Sequence, residues 1–220
     1  MPIRIALVGL GKISVDQHIP SIAADRDFDL VAGVSPRSRV AGLASYSDLA
    51  AAIAAEEIDA VAVNTPPQLR FDIARAALLA GKHVLLEKPP AASLSALAEL
   101  ERLARRQMVT LYTGWHSQHA PGVHPARGWL TGKTVREVRM RWRENVREWH
   151  PGQSWIWEPG GLGVFDPGIN ALSILTRILP EAIVLTEATL DVPVNCATPI
   201  AAKLMGRVEE SERFSAELDF

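Results

Sequence analysis

Two polar segments stand at the ends of apolar runs, Asn64-Thr65-Pro66 and Glu87-Lys88-Pro89-Pro90, and both carry groups able to do chemistry. A proline biases the residue before it toward extended geometry, so Pro89 gives the Lys88 side chain one direction in which to leave the chain. A surface lysine needs no such constraint. A lysine amine can act as a base where burial and a neighbouring cation disfavour its ammonium form. Asn64, Thr65 and Pro66 would border the same ligand, beside Glu87 and Lys88. Close to the amino terminus, Gly9-Leu10-Gly11-Lys12-Ile13-Ser14 follows a six-residue, mainly apolar run. Gly9 permits a tight turn, and Gly11 lets the backbone approach a pyrophosphate. Lys12 and Ile13 continue that turn, and the amides of the helix that follows can then bind the anion. Ser14 takes the place of the third small residue in the G-x-G-x-x-G pattern.

A dinucleotide site that favours NAD offers an acid to the adenosine ribose after the second strand, but here the chain reads Val34-Ser35-Pro36-Arg37-Ser38-Arg39. A hydroxyl and guanidiniums suit a 2′-phosphate, so Ser35 and Arg37 point to NADP, with NAD as the second choice. The plainer alternative is a solvated loop. Farther along, Trp149-His150, Trp155 and Trp157 lie in one Pro- and Gly-rich stretch, with Glu144 shortly before it. Tryptophan packs on the C–H face of a sugar while Glu144 and His150 can engage its hydroxyls. His116 is a further ligand candidate. His18, His119 and His124 read as surface or helix-packing residues. With no His-x-x-x-His or paired-carboxylate ligand set, no metal is expected.

These groups need elements to hold them. Short β-branched runs at 3–8, 30–35, 60–64, 83–86 and 110–114 alternate with helical stretches at 16–24, 48–55, 67–80 and 94–106. Ser47 and Ser93 read as N-caps and Gly81 as a C-cap. That alternation, with right-handed crossovers, predicts an α/β fold: a doubly wound parallel sheet over residues 1–118. From 119 to 220 the pattern predicts an α+β domain with a mixed, largely antiparallel sheet, with helices at 121–130 and 165–179 and strands at 135–143, 183–194, 201–205 and 213–220. That second sheet is expected either to be incomplete or to have its edge covered by another chain, which would make a homo-oligomer. A formal net charge of −2 with scattered Lys and Arg argues against nucleic acid as a partner. Cys196 is the only cysteine, and neither a signal peptide nor a membrane span is visible, so a reducing, cytoplasmic setting is expected.

The Rossmann-type opening, Asn64-Thr65-Pro66, Glu87-Lys88-Pro89 and a glycine-rich turn before Asp166-x-x-x-Asn170 together resemble the Gfo/Idh/MocA oxidoreductase family. The resemblance covers nearly the whole chain. Within it, Gly9–Pro20, Trp115-His116-Ser117, Trp149–Pro159 and Gly160–Pro180 are similar to bacterial aldose 1-dehydrogenases acting on L-arabinose and D-galactose. The resemblance implies hydride transfer from C1 of an aldopyranose to NAD(P)+, giving an aldonolactone. Lys88 matches the family's catalytic lysine, and Asp166 the aspartate four residues before its usual histidine. Asn170 stands in that histidine's place. A carboxamide orients a hydroxyl but cannot accept its proton, so the resemblance shifts proton transfer to Lys88 and leaves Asp166 and Asn170 to hold the sugar. His116, Glu144, Trp149 and His150 complete the expected aldose site. Members of the family usually continue well past the position matching Phe220, so the second domain is expected to be incomplete. The rival reading is a sensor of the same fold that binds nucleotide or sugar without turnover.

Overall fold

Ile3–Val8 is apolar on both faces, as a strand covered by helices on each side must be. In the computed structural model, which describes residues 1–208 and 212–220, it is β1, near the centre of a six-stranded parallel sheet. A π-helical turn at Ser14–His18 leads into α1 (Ile19–Ala24), followed by β2 (Phe28–Val34), β3 (Ala44–Tyr46), α2 (Leu49–Ala55) and β4 (Ala60–Val63). Next come α3 (Pro67–Leu79), β5 (His83–Glu87), α4 (Leu94–Gln107) and β6 (Leu111–Gly114). The strand order is β3-β2-β1-β4-β5-β6. The order reverses between β1 and β4, and the carboxyl ends of the strands at such a switch are where a doubly wound sheet binds ligands. Gly9 and Asn64 follow directly on β1 and β4, and Lys88 on β5. Side chains alternate along β1: Ala6 and Val8 join the core under α2, α3 and α4, whereas Ile5 and Leu7 join the one that includes Ile19 and Ile22 of α1.

Four details depart from the sequence reading. The first helix begins at Ser14 rather than residue 16, and its opening turn is widened ahead of Pro20, which has no N–H to donate into a regular α-helical ladder. Asp48, not Ser47, caps α2: its carboxylate accepts from the Ala51 amide at 2.9 Å, while the Ser47 hydroxyl donates to that carboxylate. At the end of α3 the cap residue is Ala80, and Gly81 takes the left-handed conformation just beyond it, at φ +69°. The short strand β3, paired with β2, was not expected.

Residues Met1–Gly114 form one compact unit and Trp115–Phe220 another. In the second, α5 (Val123–Leu130), β7 (Glu137–Arg143), the single-turn α6 (Val146–Trp149) and a 3-10 turn at Ser154–Trp157 precede α7 (Phe165–Ile178). The strands β8 (Ile183–Asp191), β9 (Ala201–Val208) and β10 (Glu212–Asp219) follow, and the sheet runs β7-β10-β9-β8. β10 is parallel to β7 and antiparallel to β9, so the sheet is mixed and mainly antiparallel. Val138, Met140, Leu204, Phe214 and Leu218 pack beneath α7, while Arg139 and Arg141 alternate outward. Among the described residues no helix is long and apolar enough to cross a membrane.

Candidate active site

The glycine turn is packed against the end of β4. Gly9 has φ +91°, and a Cβ there would lie 3.0 Å from the Asn64 carbonyl carbon and from the Thr65 nitrogen and Cγ2. A Cβ on Gly11 would meet nothing within 4 Å. Gly9 thus serves the fold, and Gly11 keeps open the approach to the helix amides. Ser14 is fully buried; its hydroxyl donates to the Gly9 carbonyl at 2.5 Å and accepts from Asn64 Nδ2 at 2.9 Å. This serine ties the turn to the strand beside it. Asn64 Oδ1 and Thr65 Oγ1 are buried without hydrogen-bond partners among the described residues. Two orphaned acceptors beside an open glycine turn fit a ligand rich in hydroxyl and amide donors, as a dinucleotide is. Ile13 is exposed, as is Lys12, which pairs with Asp16.

After β2, Ser35 is buried and Arg37 exposed. The Ser35 hydroxyl accepts from the Arg37 and Ser38 amides at 3.3 and 3.1 Å, forming a small turn. Arg39 Nη1 donates to the Ser35 and Ser38 carbonyls at 2.7 and 2.9 Å, so its guanidinium braces the loop. Arg37 and Arg39 are both exposed at this loop.

At the end of β5, Glu87 is held from two sides. One carboxylate oxygen lies 2.8 Å from His18 Nε2, and the other accepts from the Lys88 amide at 3.1 Å. Burial alone would push the Glu87 carboxyl up. The His18 hydrogen bond and charge, the Lys88 amide and the Arg70 charge together more than offset it and hold the group below its ordinary range. His18 is therefore not the surface or packing residue its sequence position suggested. The Lys88–Pro89 peptide bond is cis. Arg70, absent from the sequence-based set, is 5 % exposed and donates to the carbonyls of Thr65, Glu87 and Pro89.

In the second unit, α7 places Asp166 in its first turn with Asn170 one turn later on the same face. Asp166 is buried, and its Oδ2 lies 3.2 Å from His150 Nε2. The His150 ring is 3.2 Å from Gln153 Oε1 through Nδ1, and Trp155 Nε1 donates to the same Gln153 oxygen at 3.0 Å. Trp155 and Phe220 meet that ring edge-on. The start of α7 is pinned by Gly163, at φ +51°, where a Cβ would collide with the Pro199 carbonyl. An open groove of about 640 Å³ is lined by His150, Gln153, Trp157 and their loop neighbours. The other expected ligands lie differently. The Glu144 carboxylate accepts from the Trp142 indole at 2.7 Å, Trp149 is 53 % exposed at the end of α6, and His116 sits on a 3-10 turn beside Ser117. Among the described residues no cluster of three His, Cys, Asp or Glu side chains could hold a metal.

A switch-point glycine turn, orphaned acceptors at the next strand and a lysine held at the one after define a nucleotide-binding oxidoreductase unit. The chain belongs to the Gfo/Idh/MocA family, described as an oxidoreductase family with an NAD-binding Rossmann fold, whose model matches residues 3–115. It is 44 % identical over 220 residues to a galactose 1-dehydrogenase of Pseudomonas fluorescens, covering all of this chain and 71 % of that protein. The crystal structure of a D-galactose-1-dehydrogenase protein from Rhizobium etli superposes with a TM-score of 0.94 at 50 % identity, covering 100 % of this chain and 71 % of that one. A D-glucoside 3-dehydrogenase of Escherichia coli is 28 % identical over 190 residues, 81 % of this chain and 54 % of that protein.

Proposed function

We propose that this chain serves the oxidation of an aldopyranose at C1 to the aldonolactone, with D-galactose and L-arabinose as substrates and NADP+ preferred to NAD+. The observation that carries the reading is the likeness, along the whole of this chain and 71 % of each relative, at 44 % and 50 % identity, to two galactose 1-dehydrogenases. The two sugars share the configuration of their ring hydroxyls and differ by the exocyclic CH2OH, so one site with room beyond C5 admits both.

Bound oxidised nicotinamide supplies the hydride acceptor. The glycine turn and the first helix amides hold the pyrophosphate, Asn64 and Thr65 take the donors of the nicotinamide half, and Ser35 and Arg37 take the 2′-phosphate. Lys88 receives the proton of the C1 hydroxyl. Asp166 and Asn170 bind sugar hydroxyls, the first as acceptor and the second as both donor and acceptor. His150, 3.2 Å from Asp166 Oδ2, fixes the direction of that carboxylate, as an orienting group does. The single cysteine suits a reducing, cytoplasmic setting.

Purified protein given NADP+ or NAD+ with a panel of aldoses, followed by reduced-cofactor absorbance, tests this. Turnover of D-galactose and L-arabinose, faster with NADP+, is expected. Nucleotide or sugar binding without turnover of any aldose would replace the enzyme with a sensor.

A further inference from the structure

Arg70 lies outside the groups assigned to nucleotide and sugar. It shares the buried face of α3 with Pro67, Ala74, Ala77 and Leu78, a stripe on which a cation is costly unless it is fully hydrogen-bonded. Its Nε donates to the Thr65 carbonyl at 2.8 Å, and its Nη1 donates to the Glu87 carbonyl at 2.7 Å and to the Pro89 carbonyl. Glu87 and Pro89 are the neighbours of Lys88 on either side. One planar guanidinium therefore grips the chain before and after Lys88 and ties both points to the exit of β4. A further attachment completes the frame: the Lys88 amide donates to Glu87 Oε2, while Glu87 Oε1 is held by His18 from the turn that follows the glycines.

We propose that Arg70 is a positioning residue for Lys88, setting the direction in which the amine leaves the backbone and hence its aim at the C1 hydroxyl. The inference rests on Lys88 being the proton acceptor in the proposed reaction. A planar fork is needed because its N–H groups diverge in fixed directions, whereas a lysine ammonium at the same place is a point charge on a flexible stem and cannot hold three separated carbonyls. A displacement of about 1 Å in a reacting group can cost on the order of a hundredfold in rate.

The experiment compares wild type with Arg70→Lys and Arg70→Gln in the full chain. It reads kcat and KM for D-galactose, Kd for NADP+, thermal midpoint, and hydrogen exchange of the Lys88 amide. Arg70→Lys should lower kcat by roughly tenfold or more. KM and Kd should hold within about threefold, and exchange should rise at Lys88 without rising across the rest of the sheet. Arg70→Gln should fall further in kcat, with the same local exchange. Wild-type kcat with unchanged Lys88 exchange in both variants would overturn the inference. So would losses of similar size in kcat, nucleotide affinity and thermal midpoint, since these mark a fold-wide role. If the wild-type protein turns over no aldose, the reading of function fails, and exchange at Lys88 alone decides whether Arg70 positions it.

Discussion

Two glycines of the turn after β1 should fail in opposite ways. Replacing Gly9 with Ala places a side chain at φ +91°, a conformation that costs roughly 1–3 kcal/mol for a non-glycine residue. The new Cβ also meets Asn64 and Thr65 backbone atoms at 3.0 Å, and because these are backbone the strand end itself must yield. Overpacking of this kind adds about 1–3 kcal/mol. Together about 2–6 kcal/mol, they would lower the thermal midpoint by roughly 4–24 °C in a chain of this size. Gly11→Ala meets nothing within 4 Å and needs no positive φ. Its stability should stay level or rise by up to about 1 kcal/mol, because the unfolded chain loses freedom. Its methyl group stands where the pyrophosphate must approach, so affinity for NADP+ should fall by at least about tenfold, or 1.4 kcal/mol. Thermal unfolding without nucleotide and calorimetric titration with NADP+ separate the two effects. Wild-type affinity in Gly11→Ala would refute the assignment of this turn to pyrophosphate. Wild-type stability in Gly9→Ala would refute its close packing on β4.

Cofactor choice should invert when Ser35→Asp and Arg37→Ala are combined, because a carboxylate repels the 2′-phosphate and a partner is removed; an unchanged ratio of kcat/KM for NADP+ and NAD+ would remove these residues from the ribose site. Asn170→Leu keeps a similar volume without donor or acceptor, so aldose kcat/KM should fall by an amount worth roughly 1–3 kcal/mol while NADP+ affinity holds; equal losses in both would point to damage in α7. The side-chain and backbone hydrogen bonds from Arg4 hold the Asp59 carboxyl down at about 2, against burial that works the other way. Since the folded-state value is depressed, the stabilisation is whole above the ordinary value of 3.8 and is lost as pH falls toward 2. The stability gap between wild type and Asp59→Asn should therefore close through that window in urea titrations, and a pH-independent gap would contradict the pairing.

The architecture could be read from the sequence wherever a pattern was local. β4 is an unbroken apolar run and β1 is apolar but for Arg4, and the glycine turn lies between a strand and a helix, so neither required knowledge of distant residues. β3 escaped because Ala44–Tyr46 is three residues long and has no alternation of its own; it exists only by pairing with β2. Ser47 and Asp48 are both good caps, and only the reach of a carboxylate to the Ala51 amide decides between them. At the site, Lys88 could be picked out from the prolines after it, and the helical spacing of Asp166 and Asn170 put them on one face. His18 and Arg70 could not be found this way, since Glu87 lies 69 residues from His18, and two of the three carbonyls that Arg70 binds lie 17 and 19 residues from it. Arg70 did leave a trace: it falls in register with Ala74, Ala77 and Leu78 on the apolar side of α3, and a cation on such a stripe has carbonyls to bind. The hydrogen bond from the Trp142 indole to one Glu144 carboxylate oxygen, two residues apart along β7 and its exit, is a further contact that the sequence reading did not include.

The most direct test of aldose oxidation at C1 uses D-galactose carrying deuterium at that carbon, with the reduced cofactor analysed by mass spectrometry. Transfer of the deuterium to the nicotinamide, with a slowed rate relative to unlabelled sugar and loss of turnover in Lys88→Ala, is the result expected. Cofactor reduction that leaves the deuterium on the sugar would place the chemistry at another carbon and contradict the account.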